Sequence, residues 1–85
     1  MIVIAKGSVP RSDALAAHLD EEMRVLRELK ADGLIKSAYR RSAGPGFYFL
    51  LEGPSIDSVR EQIDTTLPFV IENLATLDYD EIYEI

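Results

Sequence analysis

The stretch LIKSAYRRSAGPGFYFLLE, residues 34–52, decides the fold of this chain because it contains two extended runs around one turn. Residues 34–41 and 47–52 are rich in the β-branched, aromatic and long apolar side chains that favour strands. Ser-Ala-Gly-Pro-Gly separates the two runs, and a short connection of this kind is typical of a β-hairpin. The run FYFLL lacks polar alternation, so we expect a central strand that is covered on both faces.

The part of the chain before the hairpin predicts one strand and one helix. Residues 2–5 form a short run that is mostly β-branched, which predicts a first strand. The glycine, serine and proline that follow indicate a turn after it. From residue 15 to residue 29, leucines recur at helical spacing, which predicts an amphipathic helix. Ser12 or Asp13 is the expected N-cap of this helix, and Asp32-Gly33 is its expected end.

The part of the chain after the hairpin predicts a second helix and a fourth strand. Ser55 can cap a helix over SIDSVREQI, residues 55–63, and Pro68 interrupts the helical pattern because proline cannot continue a helix. Residues 74–85 have the mixed pattern of a final strand. Its alternation slips before Ile82, which indicates a bulge or the end of the strand.

The predicted order of elements is β-α-β-β-α-β, which is the split βαβ arrangement of the ferredoxin-like superfold. We therefore predict an α+β fold in a single domain, residues 1–85, with a four-stranded antiparallel sheet and two helices on one face. The other face of such a sheet needs cover, and a chain of 85 residues without cysteine builds neither a large core nor a disulfide. Both observations predict a homo-oligomer, at least a dimer.

Composition and charge argue against several classes of function. The net charge of −6 would repel a phosphate backbone, so we expect no nucleic-acid partner. The chain has no apolar run that could span a bilayer and no signal-peptide pattern, so we expect no membrane partner and a cytoplasmic location. A single histidine and no cysteine offer no recognisable metal site, and we expect no metal or cofactor.

The run HLDEEMRVL, residues 18–26, places two ionisable side chains close to the apolar stripe of the first predicted helix. On a helical wheel of about 100° per residue, Glu22 points into the leucine stripe, whereas His18 lies at its margin. Glu21 lies on the solvent side. An unpaired buried carboxylate costs on the order of several kcal/mol, so Glu22 must be paired, protonated or in contact with a wet cavity.

Two roles are compatible with an inward-facing Glu22. It can pair with a residue of the sheet, either Arg40 or Arg41 or the hydroxyl of a tyrosine at 39, 48, 79 or 83. Lys36, Ala38 and Arg40 would share one face of the second predicted strand, and residues 35, 37, 39 and 41 the other. The pattern leaves open which face meets the helix, and we favour a buried ion pair with Arg40. Glu22 can instead act in a pocket, as a proton acceptor or as the group that orients His18, since histidine suits proton transfer near neutral pH. His18 can equally be a half-exposed residue that pairs with Glu22 one helical turn away.

The sequence also resembles a known family. Several short motifs are similar, in the same order, to those of the muconolactone Δ-isomerase family of small ferredoxin-like proteins. The likeness extends from Leu19 to Tyr79. The motifs that carry it are EMRVLRELKADG (residues 22–33), YRRSAG (39–44), Tyr48, Pro54-Ser55 and Leu67-Pro68-Phe69.

This resemblance implies a dimeric α+β barrel, often assembled into larger rings. It implies an activity that moves a double bond in a butenolide lactone by taking and returning a proton, without a cofactor. Glu22 takes the position of a glutamate that family members carry on the same helix. Arg40 takes that of an arginine after an aromatic residue, here Tyr39, and Tyr48 takes that of a tyrosine on the third strand.

We therefore predict an enzyme that performs cofactor-independent proton transfer on a small unsaturated lactone or a related carbonyl compound. Glu22 is the expected base, or the partner of His18 as base, and Arg40 is expected to hold a substrate carboxylate or to stabilise an enolate oxygen. Tyr39 and Tyr48 are expected to wall the pocket. The alternative is a non-catalytic small-molecule-binding or assembly protein in which Glu22 and Arg40 form only a structural ion pair.

Overall fold

A computed structural model describes residues 1–9 and 13–85 of the chain. In these residues it has four strands, β1 to β4, two longer helices, α1 and α2, and one short helix, α3. Their bounds are Ile2–Ser8 (β1), Leu19–Ala31 (α1), Ile35–Arg40 (β2), Phe47–Glu52 (β3), Ile56–Thr66 (α2), Pro68–Ile71 (α3) and Thr76–Ile82 (β4). A 3-10 turn, Leu15–Ala17, precedes α1.

The four strands form one antiparallel sheet in the order β2-β3-β1-β4, which confirms the predicted ferredoxin-like fold. β3 is an inner strand, as its apolar run predicts. On β1 and β3, Val3, Ala5, Phe49 and Leu51 are buried on the face that carries α1 and α2. Alternate side chains of each strand point to opposite faces, so the register of β3 fixes which residues meet the helices.

The first helix begins later than the sequence predicts. α1 begins at Leu19 with His18 as its N-cap residue, so Asp13 is not the cap, and Ser12 lies outside the described residues. The backbone of His18, with φ −116° and ψ 1°, separates the 3-10 turn from α1. Leu15 leaves the stripe of α1 because it packs against a second, smaller core. The buried residues of that core are Val9, Phe69, Leu74 and Ala75.

β1 runs beyond the predicted residues 2–5 to Ser8, because Gly7 pairs with both Phe47 and Leu77, and α2 runs beyond residue 63 to Thr66. The turn and cap residues act as predicted. α1 is followed by Gly33, whose φ of +87° lies in the left-handed region that favours glycine. The hydroxyl of Ser55 caps α2, since its oxygen accepts a hydrogen bond of 3.1 Å from the backbone N–H of Ser58. Pro68 begins α3, and β4 pairs with β1 in unbroken register up to Ile82. The slip in the tail therefore marks the end of a strand.

A bulge lies in β2 and decides which of its side chains face the helices. The register against β3 shifts just after Ile35, so Ile35, Ala38 and Arg40 share the helix-facing side. The sequence pattern left open which face meets the helices, and the structure places the favoured Arg40, with Ala38, on that face. Lys36, which strict alternation groups with them, points the other way because the extra residue of the bulge reverses its direction. Lys36 is exposed and forms an ion pair of 3.5 Å with Glu52.

The opposite face of the sheet carries none of the described helices. On this face Ile2, Ile4, Tyr48 and Leu50 are half-buried in the single chain, and Ile82 is exposed. Apolar side chains in such a layer are stabilised when a second layer covers them. Self-association through this face stays a prediction.

Candidate functional site

A pocket of about 630 Å³ opens between α1 and the helix-facing side of β2 and β3. Leu15 and Phe69 border it at the end where the smaller core lies. The charged side chains among its described lining residues are Glu22 and Arg40. Its other walls are mainly apolar and include Leu19, Met23 and Leu26 of α1 and Ala38, Phe47 and Phe49 of the sheet.

Glu22 is the one charged side chain that the described residues bury, with 3% of its surface exposed. This confirms the inward direction that the helical wheel predicts. Its Oε1 accepts a hydrogen bond of 3.0 Å from the backbone N–H of Phe69. Burial raises the pKa of the Glu22 carboxyl, and the hydrogen bond from Phe69 opposes part of that rise. Glu22 also lines the pocket, so a bound molecule can reach its carboxyl group.

The Phe69 amide is available to Glu22 because of the proline before it. α3 begins at Pro68, and amides in the first turn of a helix have no acceptor within that helix. The amides of Val70 and Ile71 both donate to the carbonyl of Leu67, whereas that of Phe69 donates to Glu22. The sequence shows the proline that creates a new helix start. It does not show that α3 packs beside α1.

Arg40 lies at the end of β2 on the pocket wall, and it is exposed. The ion pair with Glu22 that the sequence suggests does not form: the ion pairs found within residues 1–9 and 13–85 join Arg24 to Glu21 and Glu28, and Lys36 to Glu52. Glu22 is held by a backbone amide instead. Glu22 and Arg40 therefore face the same space without neutralising each other.

His18 is not part of this site in the described structure. It is half-buried, it is absent from the pocket lining, and its side chain makes no hydrogen bond or ion pair to Glu22. Its carbonyl accepts a backbone hydrogen bond of 2.9 Å from Glu22. The predicted pairing one turn apart fails because His18 precedes the first residue of α1 and lacks helical backbone angles.

The two predicted pocket tyrosines lie opposite each other on β2 and β3, on the side of the sheet away from the helices. Tyr39 is 61% exposed and borders the pocket at its rim. Tyr48 is not among the pocket-lining residues. Within one chain Tyr48 lies away from this pocket, because strand alternation turns Phe47 and Phe49 to the helices and Tyr48 to the opposite face.

Phe47 and Phe49 form the aromatic floor of the pocket. Neither residue was predicted to line it. Their ring centroids are 4.6 Å apart with planes inclined by 35°. Phe47 lies opposite Gly7 of β1, and a Cβ atom on Gly7 would lie 2.3 Å from the Phe47 ring. The ring therefore lies over the bare backbone of Gly7. Glycine opposite phenylalanine on paired strands is the sequence signal for this arrangement.

The arrangement suits acid–base and electrostatic chemistry on a bound molecule. Glu22 offers a carboxyl group whose raised pKa strengthens it as a base, and Arg40 offers a cation for a negative oxygen. No group of three or more metal-ligating side chains occurs in the described part of the chain.

Comparison with known proteins places the fold among solved structures. No family model matches the chain, and no curated protein sequence matches it. A solved structure of 5-chloro-2-hydroxyhydroquinone dehydrochlorinase from Burkholderia phenoliruptrix AC1100, in complex with 2,5-dihydroxybenzoquinone, is similar to it, with a TM-score of 0.73. The similarity covers 98% of this chain and 94% of that one at 20% identity. The two chains share a fold.

No helix in the described residues is long and apolar enough to cross a bilayer.

Proposed function

We propose that this protein is an enzyme that transfers a proton within a small unsaturated lactone or a related carbonyl compound. Glu22 is the proton acceptor, and Arg40 binds the oxygen on which negative charge develops or a carboxylate of the substrate. No cofactor takes part in the proposed reaction. The observation that carries the proposal is the buried Glu22 carboxyl, which opens onto an apolar pocket and forms no ion pair with a cation within residues 1–9 and 13–85.

The proposed reaction needs only the chain's own residues. The ionised carboxylate of Glu22 takes a proton from a carbon next to the carbonyl or conjugated with it, and the electrons of that C–H bond enter the conjugated system as an enolate. Arg40 lowers the energy of the enolate oxygen. Protonated Glu22 then returns a proton, either the same one or one exchanged with solvent in the meantime, to a different carbon of the same system, so that the double bond moves with no net gain or loss of a proton.

Burial makes Glu22 suited to both halves of this cycle. A general base works best when its pKa is close to the working pH, because it is then ionised often enough and still binds the proton firmly. An exposed glutamate, with an ordinary pKa of about 4.3, is a weaker base than one whose pKa is raised. The raised pKa of Glu22 moves it in the required direction.

We also propose that the protein works as a dimeric α+β barrel or a larger assembly, in the cytoplasm. The half-buried apolar residues on the helix-free face of the sheet, among them Ile4 and Leu50, support self-association. The similar structure of the dehydrochlorinase supports an activity on small molecules, since that protein was solved with a small quinone bound.

A second candidate is a non-catalytic small-molecule-binding or assembly protein of the dimeric α+β barrel superfamily. The Glu22–Phe69 hydrogen bond favours it, because a bond between a side chain on α1 and the backbone of α3 also has an obvious structural use. In this case Glu22 orients α3, and any bound molecule is left unchanged.

The substitution Glu22→Gln separates the two candidates. Glutamine can still accept the hydrogen bond from Phe69, so the fold should survive in both cases. Exchange of solvent deuterium into butenolides and β,γ-unsaturated carbonyl compounds, followed by NMR, measures proton transfer. We expect exchange with the unaltered protein and a loss of about 10²- to 10⁴-fold in the variant. Equal exchange rates would contradict a role for Glu22 as base.

A further inference from the structure

We infer that the pocket takes a flat acid of two or three fused rings, with its single anionic group at Arg40 and its rings on the Phe47–Phe49 floor. The inference rests on the proposed function and narrows it, because among lactones and related carbonyl compounds it selects those built on two or three fused rings. The volume, the shape of the walls and the placement of charge each support it.

The volume of the pocket exceeds that of a single ring. A cavity of about 150 Å³ is enough to bind benzene. The pocket has about 630 Å³, which is within the range of about 300–1,000 Å³ typical of sites for drug-sized ligands. A one-ring molecule would leave much of the apolar wall in contact with water, whereas two or three fused rings would cover it.

The walls favour a flat molecule. The floor is the half-buried ring of Phe47 with Ala38 beside it, backed by the buried ring of Phe49, and the roof is the side of α1 that carries Leu19 and Met23. Leu19 and Met23 are 47% and 44% exposed in the free protein, so a ligand can still cover apolar surface on both of them. A flat aromatic system fits between such surfaces and stacks on the rings below.

Gly7 sets the depth of the floor. The Phe47 ring can lie down on β1 only because Gly7 has no side chain, since any Cβ atom there would lie 2.3 Å from the ring. A larger residue would push the ring up into the pocket. Gly7 is thus a specificity-determining position that lies behind the wall, although it is not itself a lining residue.

The charges require one anionic group on the ligand. Arg40 has no carboxylate partner in the described structure and lies on the pocket wall. Glu22 is deeply buried where α1 meets α3. An anionic group beside it would raise the free energy of the ionised Glu22 carboxylate further. The acidic end of the ligand therefore belongs at Arg40, and an uncharged carbonyl-bearing or hydroxyl-bearing end belongs near Glu22.

A series of aromatic acids tests the size of the ligand. Benzoate, 2-naphthoate and anthracene-2-carboxylate share one anionic group and differ by one fused ring, and titration calorimetry or fluorescence gives the dissociation constant of each. We expect the two larger acids to bind at least about tenfold more tightly than benzoate, because each further ring buries more apolar surface. Equal affinities across the series, or no binding of any member at millimolar concentration, would overturn the inference.

Two arginine variants test the position of the anionic group. Arg40→Gln should weaken binding of 2-naphthoate about tenfold or more and leave binding of the uncharged 2-naphthamide unchanged. Arg27→Gln is the matched control, because Arg27 lies on α1, is exposed and does not line the pocket. If both variants weaken the acid equally, the effect comes from net charge and the placement at Arg40 is wrong.

Gly7→Ala tests the floor. The variant should lose most of the affinity for anthracene-2-carboxylate and little of that for benzoate. The double variant Gly7→Ala, Phe47→Leu should recover part of the affinity for the larger acid, because the smaller side chain clears the space although the stacking contact is lost. Gly53→Ala is the control for a crowded glycine elsewhere, since a Cβ there would meet Val59 at 2.5 Å, away from the pocket. Unchanged ring preference in folded Gly7→Ala, or loss of both acids without recovery in the double variant, would contradict the role of Gly7.

These binding tests fail independently of the proposed function. Loss of ring preference with proton exchange retained would overturn only the ligand class. Tight binding of the larger acids without proton exchange on any substrate would leave the ligand class intact and favour the binding protein over the enzyme.

Discussion

Two regions of the molecule place an ionisable side chain between a helix and the sheet, Glu22 in one and the half-buried Tyr79 in the other. The two side chains differ in their hydrogen-bonding and charged neighbours. In the pocket, Glu22 has a backbone amide as its described partner. On the far side of the helix layer, the hydroxyl of Tyr79 on β4 donates a hydrogen bond of 2.9 Å to Asp64, and the guanidinium of Arg60 lies 5.3 Å from the centre of its ring. We call Tyr79, Asp64 and Arg60 the Tyr79 cluster.

The two regions differ in what their charged side chains contact. In the Tyr79 cluster the anion and the cation both contact the same tyrosine, and its pKa is raised by burial and by the adjacent Asp64. In the pocket, Glu22 and Arg40 line one space and do not meet. The Tyr79 cluster also borders a cleft, but its charged groups contact the same tyrosine, whereas Glu22 and Arg40 face their pocket unpartnered by each other. The comparison supports the proposal that the chemistry belongs to the Glu22 pocket.

The largest expected effect is on activity, and it should be confined to the pocket. Glu22→Gln should lower the rate of proton exchange about 10²- to 10⁴-fold. Tyr79→Phe should leave that rate within about twofold, because Tyr79 does not line the pocket. Deuterium exchange followed by NMR on both variants measures this. A comparable loss in Tyr79→Phe would break the assignment of chemistry to the pocket alone.

The next effect concerns the cation of the pocket. Arg40→Gln should lower kcat/KM for proton transfer about 10- to 100-fold, since a donor to the developing oxyanion is lost. Arg60→Gln, in the Tyr79 cluster, should leave kcat/KM unchanged. Steady-state kinetics on the best exchanging substrate measures both. Equal losses in the two variants would show that overall charge, and not position, governs the rate.

The contrast between the two regions also shows what sequence patterns can predict. Helical periodicity predicted the inward direction of Glu22, and the glycine and proline positions predicted the strand and helix boundaries. These features are local, because each depends on residues within one or two turns of chain. Ser55 and Gly33 are examples in which the residue type alone determines the backbone it favours.

The partners across the fold could not be predicted in this way. The Phe69 amide is 47 residues from Glu22 along the chain, and a backbone donor carries no mark in the sequence. The Glu22–Arg40 pairing that the sequence suggested rested on residue type, and the packing of α3 beside α1 replaced it. His18 was misplaced because the leucine period continues through the break between the 3-10 turn and α1.

A smaller effect is expected on stability, and it should be confined to the Tyr79 cluster. Tyr79→Phe removes the hydrogen bond from the half-buried Tyr79 to the exposed Asp64, which should cost about 0.5–1.5 kcal/mol of unfolding free energy. For a domain of this size the melting temperature should fall by about 4–8 °C per kcal/mol. Tyr83→Phe is the matched control. Its hydroxyl also bonds a carboxylate, that of Glu81, but Tyr83 is 81% exposed, so its melting temperature should not change.

The smallest expected effect is on the pH dependence of stability, and two neighbouring glutamates should show it with opposite sign. Burial raises the pKa of folded Glu22, so the folded state binds the proton more tightly than the unfolded state. Glu22 therefore favours folding most below its unfolded pKa, and this contribution is lost as the pH rises through the folded value. Glu22→Gln should match the unaltered protein in acid and become the more stable of the two at neutral pH.

Glu21 lies on the solvent side of the same helix, and its hydrogen bond and ion pair with Arg24 lower the pKa of its carboxyl. Its contribution is present above the unfolded pKa and is lost as the pH falls through the folded value. Glu21→Gln should thus be the less stable protein at neutral pH and match the unaltered one in acid.

Urea unfolding between pH 4 and 8 measures both differences. Added salt should shrink the Glu21 difference and spare that of Glu22, because salt screens exposed charges and hardly reaches buried ones. Two differences of the same sign would show that Glu22 is solvated like a surface residue, and the contrast between pocket and surface would then fail.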